Sequence, residues 1–143
     1  MRYISTRRTD DVGATFEDVL LSGLARDGGL FVPESWPAPF STAEIEQLAA
    51  LDYPGLAVRL TDRFVGDVID TDTLKRMARE CYATFGHPAT APLTQLDSNL
   101  WLMELFHGPT LSFKDYALQL VGRLFDYVVA SRGQHLTILG ATS

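Results

Sequence analysis

The hydrophobic pattern of this 143-residue chain changes near Pro92, and that change limits its fold more than any other feature. Before Pro92, apolar residues recur at helical spacing in short segments. After it come two short apolar runs around a turn-like DSN, then residues 113–132, which are apolar almost all round. Such a helix is expected to be buried against several neighbours. The following LTILG resembles a buried strand, so the order strand, helix, strand predicts an α/β sheet.

Four segments before Pro92 carry the signatures of helices. Their starts are predicted at Thr15, Ser41, Pro54 and Asp70. Ser41 and Glu44 form a capping-box pattern, and the segment after Asp70 sets an apolar stripe opposite its charged residues until Gly86. Between the first two helices, DGGLFVP predicts a turn followed by an extended piece.

These patterns divide the chain into a mostly helical N-terminal domain, residues 1–90, and the first elements of an α/β domain, residues 91–143. A strand that ends in a glycine-containing turn usually leads into a helix that covers the sheet. The chain ends at GATS, directly after LTILG. We therefore expect the α/β domain to be incomplete.

Composition excludes several classes of function. The net charge is −6 and the basic residues are scattered, which argues against nucleic-acid binding. No stretch approaches the ~20 apolar residues of a membrane span, so we expect no membrane partner and a cytoplasmic location. The single cysteine, Cys81, favours a reducing compartment and argues against a metal site. Nothing in the sequence specifies an oligomeric state.

The chain has two lysines, in different settings. Lys75 lies on the polar face of an amphipathic segment, which is typical of a solvated side chain. Lys114 follows Phe113 at the start of the most apolar segment. Partial burial and the positive end of a helix both disfavour an ammonium ion, as Schiff-base chemistry requires. The alternative is a lysine that buries its stem and extends its amine to water without doing chemistry.

The residues around Lys114 have structural and functional interpretations. His107 either contacts a substrate or cofactor phosphate or is a loop residue hydrogen-bonded to backbone. Gly108 and Pro109 are expected to shape a turn that presents the lysine. Ser112 and Asp115 are predicted as helix-cap and first-turn residues.

Four segments of the sequence carry motifs of one protein family. ELFHGPTLSFKD, residues 104–115, resembles the active-site segment of threonine synthases, in which a lysine binds pyridoxal phosphate covalently. YISTR at residues 3–7 and GLARDGGLFVPE at residues 23–34 resemble the family's N-terminal signatures, and GATS at residues 140–143 resembles the start of its substrate-carboxylate loop. Arg8 stands where the family commonly has glycine.

The resemblance implies the type II pyridoxal-phosphate architecture, in which two α/β domains enclose the cofactor behind a small helical N-terminal domain. This chain corresponds to about the first third of such an enzyme. The implied reaction is that of a lyase, converting O-phospho-L-homoserine and water into L-threonine and phosphate. Lys114 would be the catalytic residue and bind pyridoxal 5'-phosphate with Phe113, while Thr142, Ser143 and His107 would bind substrate. No metal is implied.

Two other functions stay open. Within the enzymes, a threonine-synthase-like phospholyase or an amino-acid dehydratase shares the fold and the lysine chemistry. Outside the enzymes, the chain is a non-catalytic folding or interaction module, because the family's later glycine-rich loop for the cofactor phosphate is absent. In either case, we expect the chain alone to be inactive.

Overall fold

The computed structural model describes residues 1–8 and 13–139, which contain five α-helices and two small antiparallel sheets. The elements in chain order are β1 (Tyr3–Ser5), α1 (Phe16–Ser22), β2 (Phe31–Pro33), α2 (Thr42–Leu48), α3 (Tyr53–Val65), a 3-10 turn (Gly66–Val68), α4 (Thr71–Tyr82), β3 (Leu93–Asp97), β4 (Leu100–Met103) and α5 (Asp115–Ser131). Strand β1 pairs with β2, and β3 pairs with β4. None of these helices is both long enough and apolar enough to cross a membrane.

The predicted helix starts are confirmed by their N-caps. Thr15, Ser41 and Asp70 cap α1, α2 and α4, and Asp52 caps α3, so Pro54 is the second residue of α3 rather than its first. Each capping side chain accepts the backbone N–H of the third helical residue. These bonds satisfy donors that a helix start otherwise leaves without a partner.

Helix α4 is the centre of the core, as its apolar stripe predicts. Its buried residues are Leu74, Met77, Ala78, Cys81 and Tyr82. They pack against Val58 and Val65 of α3 and against Leu120 and Leu124 of α5. The core therefore joins α5 to the helices that precede Pro92.

Helix α5 confirms the predicted helix, but not its predicted burial. Only one face of the described helix is buried. Its buried residues are Leu120, Leu124 and Val128, together with Asp115 at the start of the helix. Leu118, on another face, is 57% exposed. The prediction of a helix buried against several neighbours is wrong for the described chain, because α5 packs mainly on α4 and α1.

The paired strands expected after Pro92 are confirmed as the β3–β4 hairpin, whereas the strand expected at LTILG is not formed. Residues 136–139 are irregular and exposed. A strand needs a neighbour to satisfy its backbone N–H and C=O groups, and β3 and β4 pair only with each other in the described chain. The strand prediction is wrong there, and Gly140 lies outside the described residues.

The predicted turn and extended piece in DGGLFVP are present, and the extended piece is β2. Its partner β1 is an element that the sequence patterns did not indicate. The Asp27 carboxylate accepts the Ser5 hydroxyl at 2.7 Å and the Gly29 N–H at 2.8 Å. Arg7 donates to the carbonyl oxygen of Asp27 at 2.9 Å. Asp27 therefore closes the turn against the end of β1.

Replacing Arg8 by glycine is expected to stabilise the chain. Arg8 has a φ of +53°, in the left-handed region that glycine adopts without strain. Glycine removes a conformational penalty of about 1–2 kcal/mol, but it loses more backbone freedom on folding than arginine does. The net gain in the free energy of unfolding is about 0.5–1 kcal/mol. Urea unfolding measures it. Arg8→Ala keeps the strain and removes the charge, so an equal gain in that variant would contradict the backbone explanation.

Candidate active site around Lys114

Lys114 lies in the loop between β4 and α5, directly before the first residue of α5. Its backbone is already helical, with φ −62° and ψ −24°, and its N–H donates to the Ser112 hydroxyl at 3.3 Å. Its predicted place at a helix start is confirmed. The predicted partial burial is wrong, because Lys114 is exposed in the described chain. The amine is therefore accessible, close to the positive end of a helix.

Lys75 has the setting predicted for a solvated lysine. Its side chain is 53% exposed on the polar face of α4 and pairs with Asp72 at 2.9 Å. An exposed pair of this kind contributes little to stability. Of the two lysines, only Lys114 stands in a loop at the start of a helix.

The predicted turn before Lys114 runs from Gly108 to Leu111, whose N–H donates to the Gly108 carbonyl at 3.1 Å. A Cβ on Gly108 would overlap the Cβ and Oδ2 of Asp115 and lie 2.8 Å from its Cγ. Glycine is therefore required here by close approach, as its position before the turn predicts. The atoms that it approaches belong to the residue after Lys114.

Asp115 is the first residue of α5 and is 4% exposed. Its Oδ2 accepts the Thr110 N–H at 2.8 Å, and its Oδ1 accepts the Thr110 hydroxyl at 2.8 Å. Burial raises the pKa of Asp115, but the hydrogen bonds from Thr110 and Gln119 together lower the pKa below its ordinary value. Asp115 is thus an anion in the first turn, as predicted, and it also connects the start of α5 to Thr110 within the loop.

His107 shares a polar cluster with Glu104. Its Nε2 lies 2.7 Å from Glu104 Oε2, and Thr94 donates its hydroxyl to Glu104 Oε1 at 2.8 Å. The His87 and Phe106 rings flank the His107 ring at centroid distances of 5.1 Å and 4.7 Å. The hydrogen bond from His107, and then that from Thr94, lowers the pKa of Glu104. A contact between His107 and a phosphate stays a prediction.

Glu104→Gln is expected to destabilise the chain at neutral pH and to lose that effect in acid. The Glu104 pKa is lowered from its ordinary 4.5, so the folded anion contributes stability above that pH. This contribution disappears as the pH falls through the lower folded pKa. Urea midpoints from about pH 7 to about pH 3 measure it, with Glu46→Gln on exposed α2 as the control. If the urea midpoint of Glu104→Gln lies below that of the unsubstituted chain by the same amount at every pH, the prediction is contradicted.

Several residues that hold this loop carry no recognisable sequence signal. Tyr116 donates its hydroxyl to the Thr90 carbonyl at 2.6 Å, and Tyr82 donates to the Tyr116 carbonyl at 2.9 Å. The N–H of Gly86 donates to the His107 carbonyl at 2.8 Å. These bonds tie both sides of Lys114 to α4 and the segment after it.

The remaining predicted site residues are Phe113, Thr142 and Ser143. Phe113 is adjacent to Lys114 and 65% exposed. Thr142 and Ser143 lie outside the described residues, so their part in a site stays a prediction. Within residues 1–8 and 13–139, no group of three or more His, Cys, Asp or Glu side chains is placed to hold a metal ion.

The comparisons with known proteins agree with one another. Residues 2–82 match the family model described as threonine synthase N terminus. The whole chain is 54% identical over 144 aligned residues to the threonine synthase of Pseudomonas aeruginosa, of which it covers 30%. The crystal structure of PLP-bound threonine synthase from Brucella melitensis matches 93% of the chain, with 28% of its own length, at 47% identity and a TM-score of 0.88. The yeast threonine synthase structure matches 92%, with 27% of its own length, at 35% identity and a TM-score of 0.85.

The fold first defines a class of α/β protein, in which a helical N-terminal region precedes a hairpin and a loop that carries a lysine. The Brucella melitensis and yeast structures that share this fold are threonine synthases. The chain belongs to the threonine synthase family. It spans about 30% of the length of the curated relatives that it matches.

Proposed function

We propose that this chain forms the N-terminal part of a threonine synthase that converts O-phospho-L-homoserine and water into L-threonine and phosphate. The observation that carries the proposal is the accessible amine of Lys114 at the start of α5, within the segment from residue 104 to 115 that resembles the family's active site. Residues 1–90 would be the helical N-terminal domain and residues 91–143 the start of the cofactor domain of a cytoplasmic enzyme.

The residues present fit pyridoxal phosphate, which the Brucella melitensis enzyme binds. Lys114 supplies a primary amine that an aldehyde can reach, and the positive end of α5 lies beside it. Phe113 would contact the cofactor, while His107, Thr142 and Ser143 would bind the substrate. When bound, pyridoxal phosphate acts as an electron sink for substrate carbanions.

Lys114 has two tasks in this proposal. Its amine holds the cofactor covalently between turnovers, and the freed amine then moves protons among the substrate carbons as a general base and acid. Both tasks need the amine to face the same side of the loop. The hydrogen bonds on either side of Lys114 supply that constraint, since they fix the backbone from which the flexible side chain extends.

The chain alone is expected to be inactive. Correct placement of reacting groups accounts for about 7–11 kcal/mol of barrier lowering in well-oriented systems. This chain spans about 30% of the length of its relatives, so the other groups of the site would come from the remaining length. The exposed Lys114 would then be covered only in the complete enzyme.

A hybrid enzyme tests the proposal. Residues 1–143 would replace the matching part of the Pseudomonas aeruginosa threonine synthase, and threonine and phosphate release from O-phospho-L-homoserine would be measured. We expect both products in equal amounts, as from the unsubstituted Pseudomonas enzyme, and neither from the chain alone. Phosphate release without threonine would indicate a different phospholyase, and a folded hybrid that releases neither product would contradict the proposed function.

A further inference from the structure

The loop that carries Lys114 contains one residue, Leu111, whose backbone conformation is not stabilised by its own side chain. Leu111 has a φ of +61°, in the left-handed region that non-glycine residues rarely adopt. Its side chain is 73% exposed, so packing contributes little to holding it there. The turn bond from its N–H to Gly108 closes only one side of the loop. Another contact must therefore maintain this backbone.

Asp115 makes that contact. Both oxygens of its carboxylate accept hydrogen bonds from Thr110, the residue before Leu111, and both bonds are 2.8 Å long. A buried carboxylate that uses both oxygens on one residue fixes that residue's orientation as well as its distance. The bonds close a ring from Thr110 to Asp115, and Lys114 lies inside this ring, next to its closing residue.

The surroundings of Asp115 leave it little freedom. Gly108 approaches so closely that a Cβ there would overlap the Asp115 side chain. On the other side, Tyr116 is held by its hydroxyl bond to the Thr90 carbonyl and by the Tyr82 hydroxyl. The lowered pKa of Asp115 keeps the carboxylate ionised, which suits the first turn of a helix.

We propose that Asp115 is a positioning residue, which holds the loop from Thr110 to Asp115 so that the Lys114 amine faces the cofactor. Lys114 makes no side-chain capping bond at α5 and is exposed, so its backbone sets the direction of its side chain. This inference rests on the proposed function, because it assigns a role in cofactor attachment. It adds Thr110 and Asp115 to the residues on which that attachment depends.

Three variants of the hybrid enzyme separate positioning from simple helix capping. Thr110→Val keeps the shape and the backbone N–H but loses the hydroxyl bond, whereas Thr110→Ser keeps the hydroxyl and loses a methyl group. Asp115→Asn keeps the volume and replaces one accepting oxygen by a donor. If Asp115→Asn does not fold, the Thr110 pair decides the question alone.

The measurement is the rate at which cofactor-free hybrid enzyme captures pyridoxal phosphate on Lys114. Samples would be trapped with borohydride at increasing times, and the pyridoxyl-bearing peptide would be quantified by mass spectrometry. We expect capture by Thr110→Val and Asp115→Asn to be at least about fivefold slower, the effect of one lost hydrogen bond, and capture by Thr110→Ser to stay within about twofold. The melting temperature of each variant would be recorded beside its capture rate, and the rates would be compared at a temperature at which every variant is folded.

Two outcomes would overturn the proposal. If Thr110→Val or Asp115→Asn lowers the melting temperature while the folded protein captures the cofactor at the unsubstituted rate, Asp115 only braces the helix. If the unsubstituted hybrid captures no cofactor on Lys114, the proposed function fails and this inference fails with it. The unsubstituted sample distinguishes the two cases before any variant is compared.

Discussion

Lys114→Ala is expected to abolish threonine production by the hybrid enzyme, lowering turnover by at least about 10³-fold. Loss of a general acid and base by itself lowers the reaction rate about 10²–10⁴-fold. The variant also loses the amine that holds the cofactor. Steady-state assays of threonine and phosphate measure the rate. Borohydride reduction followed by peptide mass mapping should place the pyridoxyl group on Lys114 in the unsubstituted hybrid. In the variant, the remaining Lys75 should carry none.

Lys75→Ala is the matched control for this experiment. Lys75 is half-exposed on α4 and pairs with Asp72, a contact that contributes little to stability. Its replacement should leave both turnover and the adduct on Lys114 unchanged. An adduct on Lys75, or a Lys114→Ala enzyme that keeps most of its turnover, would show that the segment from residue 104 to 115 does not carry the cofactor lysine.

Helices were the part of this fold that the sequence predicted best, because their starts obey local rules. The capping box predicted at Ser41 needs only residues within one turn of each other, and it is present. Thr15, predicted only as a helix start, forms a second capping box with Asp18. The stripe predicted for α4 needs only helical periodicity. Its five residues within α4 are buried, and Phe85, after the end of α4, is partly buried. In each case the information lies within a few residues along the chain.

The errors lie where the outcome depends on partners distant in sequence. Residues 136–139 are apolar, but a strand requires a second backbone beside it, and composition does not show whether one is present. Helix α5 is apolar almost all round, yet only the face towards α4 and α1 is buried in the described chain. Strand β1 was missed because three residues are too few to show a period of two.

The candidate site shows the same division between local and distant information. The motif around Lys114 indicated the close approach at Gly108, which the structure contains. Its choice of Lys114 over Lys75 as the cofactor lysine stays a prediction. The motif did not indicate that Thr110 and Asp115 are bonded, since that depends on the left-handed backbone at Leu111. A leucine gives no sign of a positive φ, whereas a glycine in its place would have suggested one.

Gly108→Ala is expected to damage both the stability of the chain and the activity of the hybrid enzyme. The added Cβ would overlap the Asp115 side chain, so either the turn or the start of α5 must move. Forced overlap of this kind costs about 1–3 kcal/mol. A displacement of about 1 Å at a reacting group lowers turnover about 10²-fold, and Lys114 is the neighbour of the residue that is displaced. Urea unfolding of the chain and steady-state turnover of the hybrid measure the two effects.

Gly122→Ala, inside helix α5, provides the control. A Cβ at Gly122 meets no atom of the described chain within 4 Å outside the backbone of α5 itself. Alanine is favoured over glycine inside a helix by about 1 kcal/mol, so this variant should stabilise the chain. The two substitutions are chemically identical and should change stability in opposite directions. If Gly108→Ala is as stable and active as the unsubstituted protein, the contact between Gly108 and Asp115 does not hold the lysine loop, because a loop that depends on that contact cannot accept a methyl group there.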